Sequence, residues 1–218
     1  MPWRSCVTPR LALSLSLTFV GTIVGVAHAD EVDAVGASGA AEAPPLAPFR
    51  RGVAFEGMIG TYAPTGPLKH VSAPGPWFRV TVGFDFTKWF GAFASGDVAF
   101  LSTERAPPPP GPRAYTFYGF GGGLRLALPI GRVRIPVRAE IGLHEAKDDG
   151  VLAAYGFRDA HGLSFGWALA TGLEIRAKSR HYGLGFEVGV RNDSAFANPV
   201  RGGTPLAITG ALLVHYTL

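Results

Sequence analysis

From Gly52 to the C-terminus, apolar and polar positions alternate with a period of two, the signature of strands with two unlike faces. In Phe78-Arg79-Val80-Thr81-Val82-Gly83-Phe84-Asp85-Phe86 every even position is large and apolar, and the odd positions are polar or glycine. Val133-Arg134-Ile135-Pro136-Val137-Arg138-Ala139-Glu140-Ile141 repeats the pattern with the apolar residues on odd positions. Further strands are predicted at 163–176, 182–191 and 206–218, with weaker ones at 52–62, 90–101 and 115–128. Eight strands result, each near the roughly 9–11 residues that a tilted membrane strand needs.

The connections alternate in length. Residues 63–76, 102–113, 144–162 and 192–205 are long, whereas Thr87-Lys88, Pro129 to Arg132 and Lys178 to Arg180 are short. Strict long–short parity is what an up-and-down barrel gives when one rim faces outside and the other the periplasm. Immunoglobulin-like sandwiches also have short strands, but without such parity.

Alternation alone does not say which face is outside, so a water-soluble lipocalin-like barrel is the competing reading. The apolar face is bulky, with Phe78, Val80, Val82, Phe84, Phe86, Leu124, Leu126 and Leu128 on the first strands alone. An eight-stranded barrel only just holds its interior side chains, so this set would overfill it. The opposite face carries glycine, alanine and charge. Glu56, Asp85, Asp97, Glu140, Glu174 and Glu187 match Arg79, Arg125, Arg134, Arg138, Arg176 and Arg191. Such a balance suits a closed lumen with a structural ion-pair network. The fold class expected is therefore all-β: an eight-stranded antiparallel up-and-down transmembrane β-barrel, with its apolar face toward lipid. Trp77, Phe78, Tyr115, Phe117, Phe165 and Trp167 near the long loops, and Phe86, Trp89, Phe90 and Tyr216 near the short turns, would form two aromatic girdles.

Upstream of the barrel, Arg4 and Arg10 precede an apolar run from Leu11 to Val26, and Ala27-His28-Ala29 supplies a small-x-small cleavage site. Residues 1–29 read as a cleaved signal peptide rather than a membrane anchor, and residues 30–49 as a disordered Ala/Pro-rich leader before the barrel at 50–218. Cleavage removes Cys6, the one cysteine, and two of the 20 basic residues, leaving 18 against 16 acidic. That near-balance gives no electrostatic footprint for nucleic acid.

The stretch from Tyr118 to Leu143 has a Gly-rich strand, a Leu-Pro turn and a following strand ending Ile-Gly-Leu. It resembles the small outer-membrane β-barrel families of Gram-negative bacteria. The terminal Leu212-Leu213-Val214-His215-Tyr216-Thr217-Leu218 is similar to the strand signal read by the barrel-assembly machinery, although Leu218 stands where members usually end in Phe. The resemblance implies residence in the cell outer membrane, contact with outer-membrane lipid and lipopolysaccharide, and assembly through that strand. A monomer is expected.

Candidate chemistry is sparse. His70, His144, His161, His181 and His215 show no metal-ligand spacing and read as polar rim residues. Barrels of this size include lipid A deacylases with a His-x-Ser arrangement on a lipid-facing strand; His161 and Ser164 lie near each other but do not form it. Gly119, Gly121, Gly122 and Gly123 do not make a G-x-G-x-x-G turn, because no helix pattern follows. Gly119, Gly121 and Gly123 share the inner face with Arg125 and should make room for arginines of neighbouring strands. Neither a cofactor nor enzymatic activity is expected. The expected role is structural or interaction-based at the cell surface, with a small apolar-ligand or transport barrel as the alternative and a lipid A-modifying hydrolase as a more remote one. Two features strain the topology: Pro136 inside a strand with no free edge, and the weak strand 90–101, with Ala92 and Ala94 on its lipid side.

Overall fold

A computed structural model describes residues 51–103, 114–147, 152, 162–177, 181–196 and 205–218. The expected signal peptide and leader lie outside these residues, as do residues 104–113, 148–151, 153–161, 178–180 and 197–204. The strands are β1 (Gly52–Pro64), β2 (Ser72–Ala73), β3 (Gly75–Asp85), β4 (Phe90–Thr103), β5 (Ala114–Ile130), β6 (Val133–Lys147), β7 (Ser164–Arg176), β8 (Tyr182–Asp193) and β9 (Leu206–Thr217). Eight of them make an antiparallel wall in chain order, closed by β9 on β1, while the two-residue β2 pairs with the long-loop end of β4. The weak strand expected at 90–101 is thus a full member of the wall, paired on both sides.

Register fixes the shape. Following paired residues around the wall from Ala54 leads through Gly83, Phe93, Gly123, Glu140, Ala168, Arg191 and Ala207 back to β1 at Pro64, ten residues along from the start. Eight strands with a shear of ten tilt by about 40° and enclose a backbone cylinder of about 8 Å radius. That interior has space for side chains and little else. Outward positions carry the apolar residues: Val80, Leu124, Ile141, Leu184 and Leu212 are all more than half exposed.

Pro136 is accommodated without a bulge. The β6–β7 pairing is interrupted at Ile135 and Pro136 and resumes in the same register, from Arg134↔Glu174 to Val137↔Thr171. The Thr171 hydroxyl donates to the Pro136 carbonyl at 3.1 Å, a side-chain substitute where the ladder lapses. The β5–β6 connection is tighter than the sequence suggests. Pro129 remains in the strand, and Gly131 (φ 62°) turns the chain with Arg132.

The connection from β1 to β3 is folded. A 3-10 helix (Gly66–His70) and β2 carry Leu68 and Val71 inward, and both are buried. Phe196, from a short 3-10 turn after β8, and Leu152 join them.

The glycines of β5 do thin the inner wall, but not for arginines. A methyl at Gly119 would lie 2.7 Å from His144 Nε2, one at Gly121 2.7 Å from Glu140 Oε1, and one at Gly123 2.9 Å from Phe93 Cζ. The space is taken by those three side chains, which come from the strands on either side of β5, and at Gly121 and Gly123 also by the β6 backbone carbonyls of Ile141 and Ala139. Gly57 differs: it faces outward, and nothing lies within 4 Å of where a methyl would stand. Gly121→Ala should therefore destabilise the barrel by about 1–3 kcal/mol through overpacking. Gly57→Ala should be neutral or slightly stabilising. Urea midpoints in detergent micelles, followed by tryptophan fluorescence, compare the two; equal midpoints would contradict this packing.

Candidate functional site: the charged lumen

Each inward strand position that carries charge does so because the period-two pattern places it opposite the apolar one. All twelve charged residues singled out from the sequence point inward. Eleven are buried, and the Arg176 side chain keeps 13% of its exposure near the short-turn rim. The structure sorts them into three groups along the lumen.

Nearest the short turns, Asp85 accepts from Arg125 Nη2 at 2.5 Å and lies 3.6 Å from Arg134 Nη1. Arg176 Nε donates to Glu174 at 2.9 Å. Glu56 joins this end to the middle. Arg125 donates to its Oε1 and Arg138 to its Oε2, the latter at 2.5 Å. Arg125 and Arg138 are direct cross-strand partners on β5 and β6, a like-charge pairing that is unfavourable by itself. Glu56 reaches them from β1 and sits between both guanidinium groups. Arg138 Nε also lies 2.9 Å from Glu187.

In the middle, Arg79 pairs with Glu140, which also accepts from Ser95 Oγ at 2.6 Å. The guanidinium carbons of Arg79 and Arg138 lie 5.7 and 5.9 Å from the Phe93 ring centroid, so one inward phenylalanine carries two cations.

Toward the long loops, Arg191 Nη1 donates to Asp97 at 2.7 Å, and its Nε lies 3.2 Å from Asp193. Trp77 Nε1 donates to Asp97 at 3.0 Å, and the Tyr62 hydroxyl to Asp193 at 2.8 Å. Arg191 Nη2 is 2.6 Å from His144 Nε2. A guanidinium only donates, so this nitrogen presents its lone pair and the ring is the neutral Nδ1–H tautomer. The imidazole stacks on Phe117 at 5.6 Å.

The structure corrects the sequence reading at several residues. His144 and His215 are lumen residues, not rim residues. Strand β6 runs to Lys147, so His144 falls on the inner parity of Arg134, Arg138 and Glu140. His215 Nδ1 lies 2.8 Å from Glu56 Oε1 and its Nε2 2.7 Å from Thr217 Oγ1. Asp193, expected in a loop, is the last residue of β8. Trp77, Tyr115 and Phe117 are not girdle residues. They are buried inside, because the strands continue past the apolar belt and their inward parity carries them over the top of the ion pairs. There Tyr115, Phe117 and Phe196 pack with ring centroids 4.9–6.5 Å apart, in one cluster with Leu68, Val71, Leu101 and Leu152. An apolar cluster thus closes the long-loop end. Phe78, Phe86, Trp89, Phe165 and Trp167 do lie on the outer wall.

Ser164 Oγ donates to the backbone carbonyl of His144 at 3.1 Å, and His161 lies outside the described residues. Among the described residues no three His, Cys, Asp or Glu side chains are grouped to hold a metal ion.

No protein-family model matches the chain, and a search of curated proteins found no match. Solved structures do match in shape. Neisserial surface protein A aligns with a TM-score of 0.53 at 14% identity, covering 78% of this chain and 100% of that one. Ail, the attachment invasion locus protein of Yersinia pestis, aligns at 0.43 and 10% identity, covering 77% of this chain and 96% of its own. The outer membrane enzyme PagL aligns at 0.40 and 12%, covering 76% and 99%.

Removing one partner of a buried pair strands the other charge. Glu56→Gln should cost about 3–5 kcal/mol, because Arg125 and Arg138 are then left facing each other. Combining it with Arg138→Gln should cost less than the two single changes together. A double-mutant cycle on urea midpoints reads this, and strict additivity would contradict the shared contact. The closed wall, its register and the solved structure it matches give the chain the fold of the small eight-stranded outer-membrane β-barrels of Gram-negative bacteria.

Proposed function

We propose that this is a monomeric outer-membrane protein, exported by residues 1–29, whose barrel is a closed scaffold and whose role is envelope structure or surface contact rather than catalysis or transport. The observation that carries this is the occupancy of the lumen. The twelve charges, with Asp193, His144 and His215, form a structural ion-pair network along its length, and Leu68, Val71, Leu152 and Phe196 seal one end. A barrel built to hold a small apolar ligand inside would present an uncharged, apolar interior. A transport barrel would leave a path, which an interior of this radius filled by arginine and aromatic side chains does not.

Recognition then falls to the long connections, the usual place for it on a rigid scaffold. The outer face meets hydrocarbon, with lipopolysaccharide at the long-loop side. The C-terminal strand, whose outward residues Leu212, Val214 and Tyr216 keep the alternation, is the segment offered to the assembly machinery.

The wild-type protein in planar bilayers should give little or no conductance. Reproducible open steps would contradict the closed lumen. A variant with 153–161 replaced by a short turn, which spares β6 and the buried Leu152, should keep the barrel and lose surface contacts in a cell-adhesion assay. Adhesion equal to that of the wild type would exclude this loop as the contact surface.

A further inference from the structure

The rim formed by the short connections is basic. Arg51 precedes β1, Lys88 lies in the β3–β4 turn and Arg132 in the β5–β6 turn, and all three are exposed. No acidic side chain is exposed at this rim among the described residues. The carboxylates nearest to it, Asp85 and Glu174, are fully buried and turned inward onto Arg125 and Arg176. Their charge is already matched within the lumen, so it does not neutralise the rim.

The turns that hold these cations are tied to the wall. The Trp89 carbonyl accepts from Ala127 N at 2.8 Å, and the Arg132 carbonyl from Arg176 N at 2.9 Å. Thr87 Oγ1 accepts from the amides of Trp89 and Phe90 at 3.1 and 3.0 Å. The outer wall carries exposed aromatic side chains toward this rim, Phe86, Trp89 and Tyr182. Lys88 Nζ lies 5.1 Å from the Trp89 ring centroid. Aromatic belts mark the headgroup level of a bilayer. A cation resting on the belt is therefore held at the height of lipid phosphates, not out in the aqueous phase.

We propose that the short-turn rim binds anionic phospholipid headgroups in the leaflet it faces, with Lys88, Arg132 and Arg51 as the phosphate-binding cations and Trp89 packing against the acyl chains. This rests on the reading that the barrel spans a bilayer. Each cation near a lipid surface contributes about fivefold to binding of anionic lipid at low salt, so three make the rim selective over zwitterionic lipid. Selectivity falls as salt rises.

The full chain is reconstituted into nanodiscs of phosphatidylcholine with a minor share of phosphatidylglycerol, and the lipids that stay with the protein are weighed by native mass spectrometry. Phosphatidylglycerol should be enriched several-fold over its bulk share. The K88S/R132S/R51S variant, with folding confirmed by far-UV circular dichroism, should lose that enrichment, and K88R should retain it. Lys69, exposed at the opposite rim, supplies the control: K69S should leave the enrichment unchanged. No enrichment in the wild type, equal enrichment in the triple variant, or an equal loss with K69S would overturn the proposal. Displacement of the lipid by soluble acidic peptidoglycan fragments would overturn it too, in favour of a cell-wall partner for this rim. Failure of the wild type to enter nanodiscs would overturn the bilayer-spanning reading itself.

Discussion

Every backbone amide and carbonyl in a wall that faces hydrocarbon must find its partner inside the wall, because the bilayer core offers none. That constraint forces the sheet to close on itself, and here β9 meets β1 to complete it. Closure with eight strands and a shear of ten then sets the interior radius. The radius in turn sets the problem that the inward residues solve: a space too narrow for a water-filled channel and too wide to leave empty. Bulky residues go outward, small ones line β5 where His144, Glu140 and Phe93 need depth, and long charged side chains cross the rest.

Filling that space with arginine is costly unless each charge is matched, since burial removes most of the solvation of both partners. The arrangement around Glu56 shows how matching works across a barrel. Two arginines that oppose each other on adjacent strands are tolerable because a carboxylate from the far wall, with one oxygen for each, lies between them. Such a contact ties β1 to β5 and β6, strands with which it makes no backbone ladder. The pairs thus specify how the wall closes, and a slip of one residue would turn a strand's charges into the lipid. The long-loop mouth is sealed by different means: Leu68, Val71 and Phe196 arrive on connections, and their driving force is burial of apolar surface.

Much of the barrel is legible from alternation and connection length, including the inward placement of Glu56, Arg79, Asp97, Arg138 and Arg191, which parity alone assigns. What parity does not give is where a strand ends. His144 and Asp193 lie near strand ends on the long-loop side, where the outward residues turn polar and the pattern fades, whereas Trp77 and Tyr115 share the inward parity of Arg79 and Arg125 and are within reach of the rule. At those ends the inward residues continue regardless, because the wall extends past the apolar belt before it breaks into loops. His215 is within reach of the parity rule, since it alternates with Val214 and Tyr216. The reach of Leu68, Leu152 and Phe196 into the lumen depends on how connections fold back, and no local pattern encodes that.

Whether the apolar face meets lipid, with the charged face inside, is tested most directly by cell fractionation combined with electrophoresis of the unboiled and boiled protein. The protein should sediment with the outer membrane. The unboiled sample should migrate differently from the boiled one, as a closed barrel resists detergent until heated. Recovery as a soluble periplasmic protein with a single migration position would contradict this orientation of the two faces.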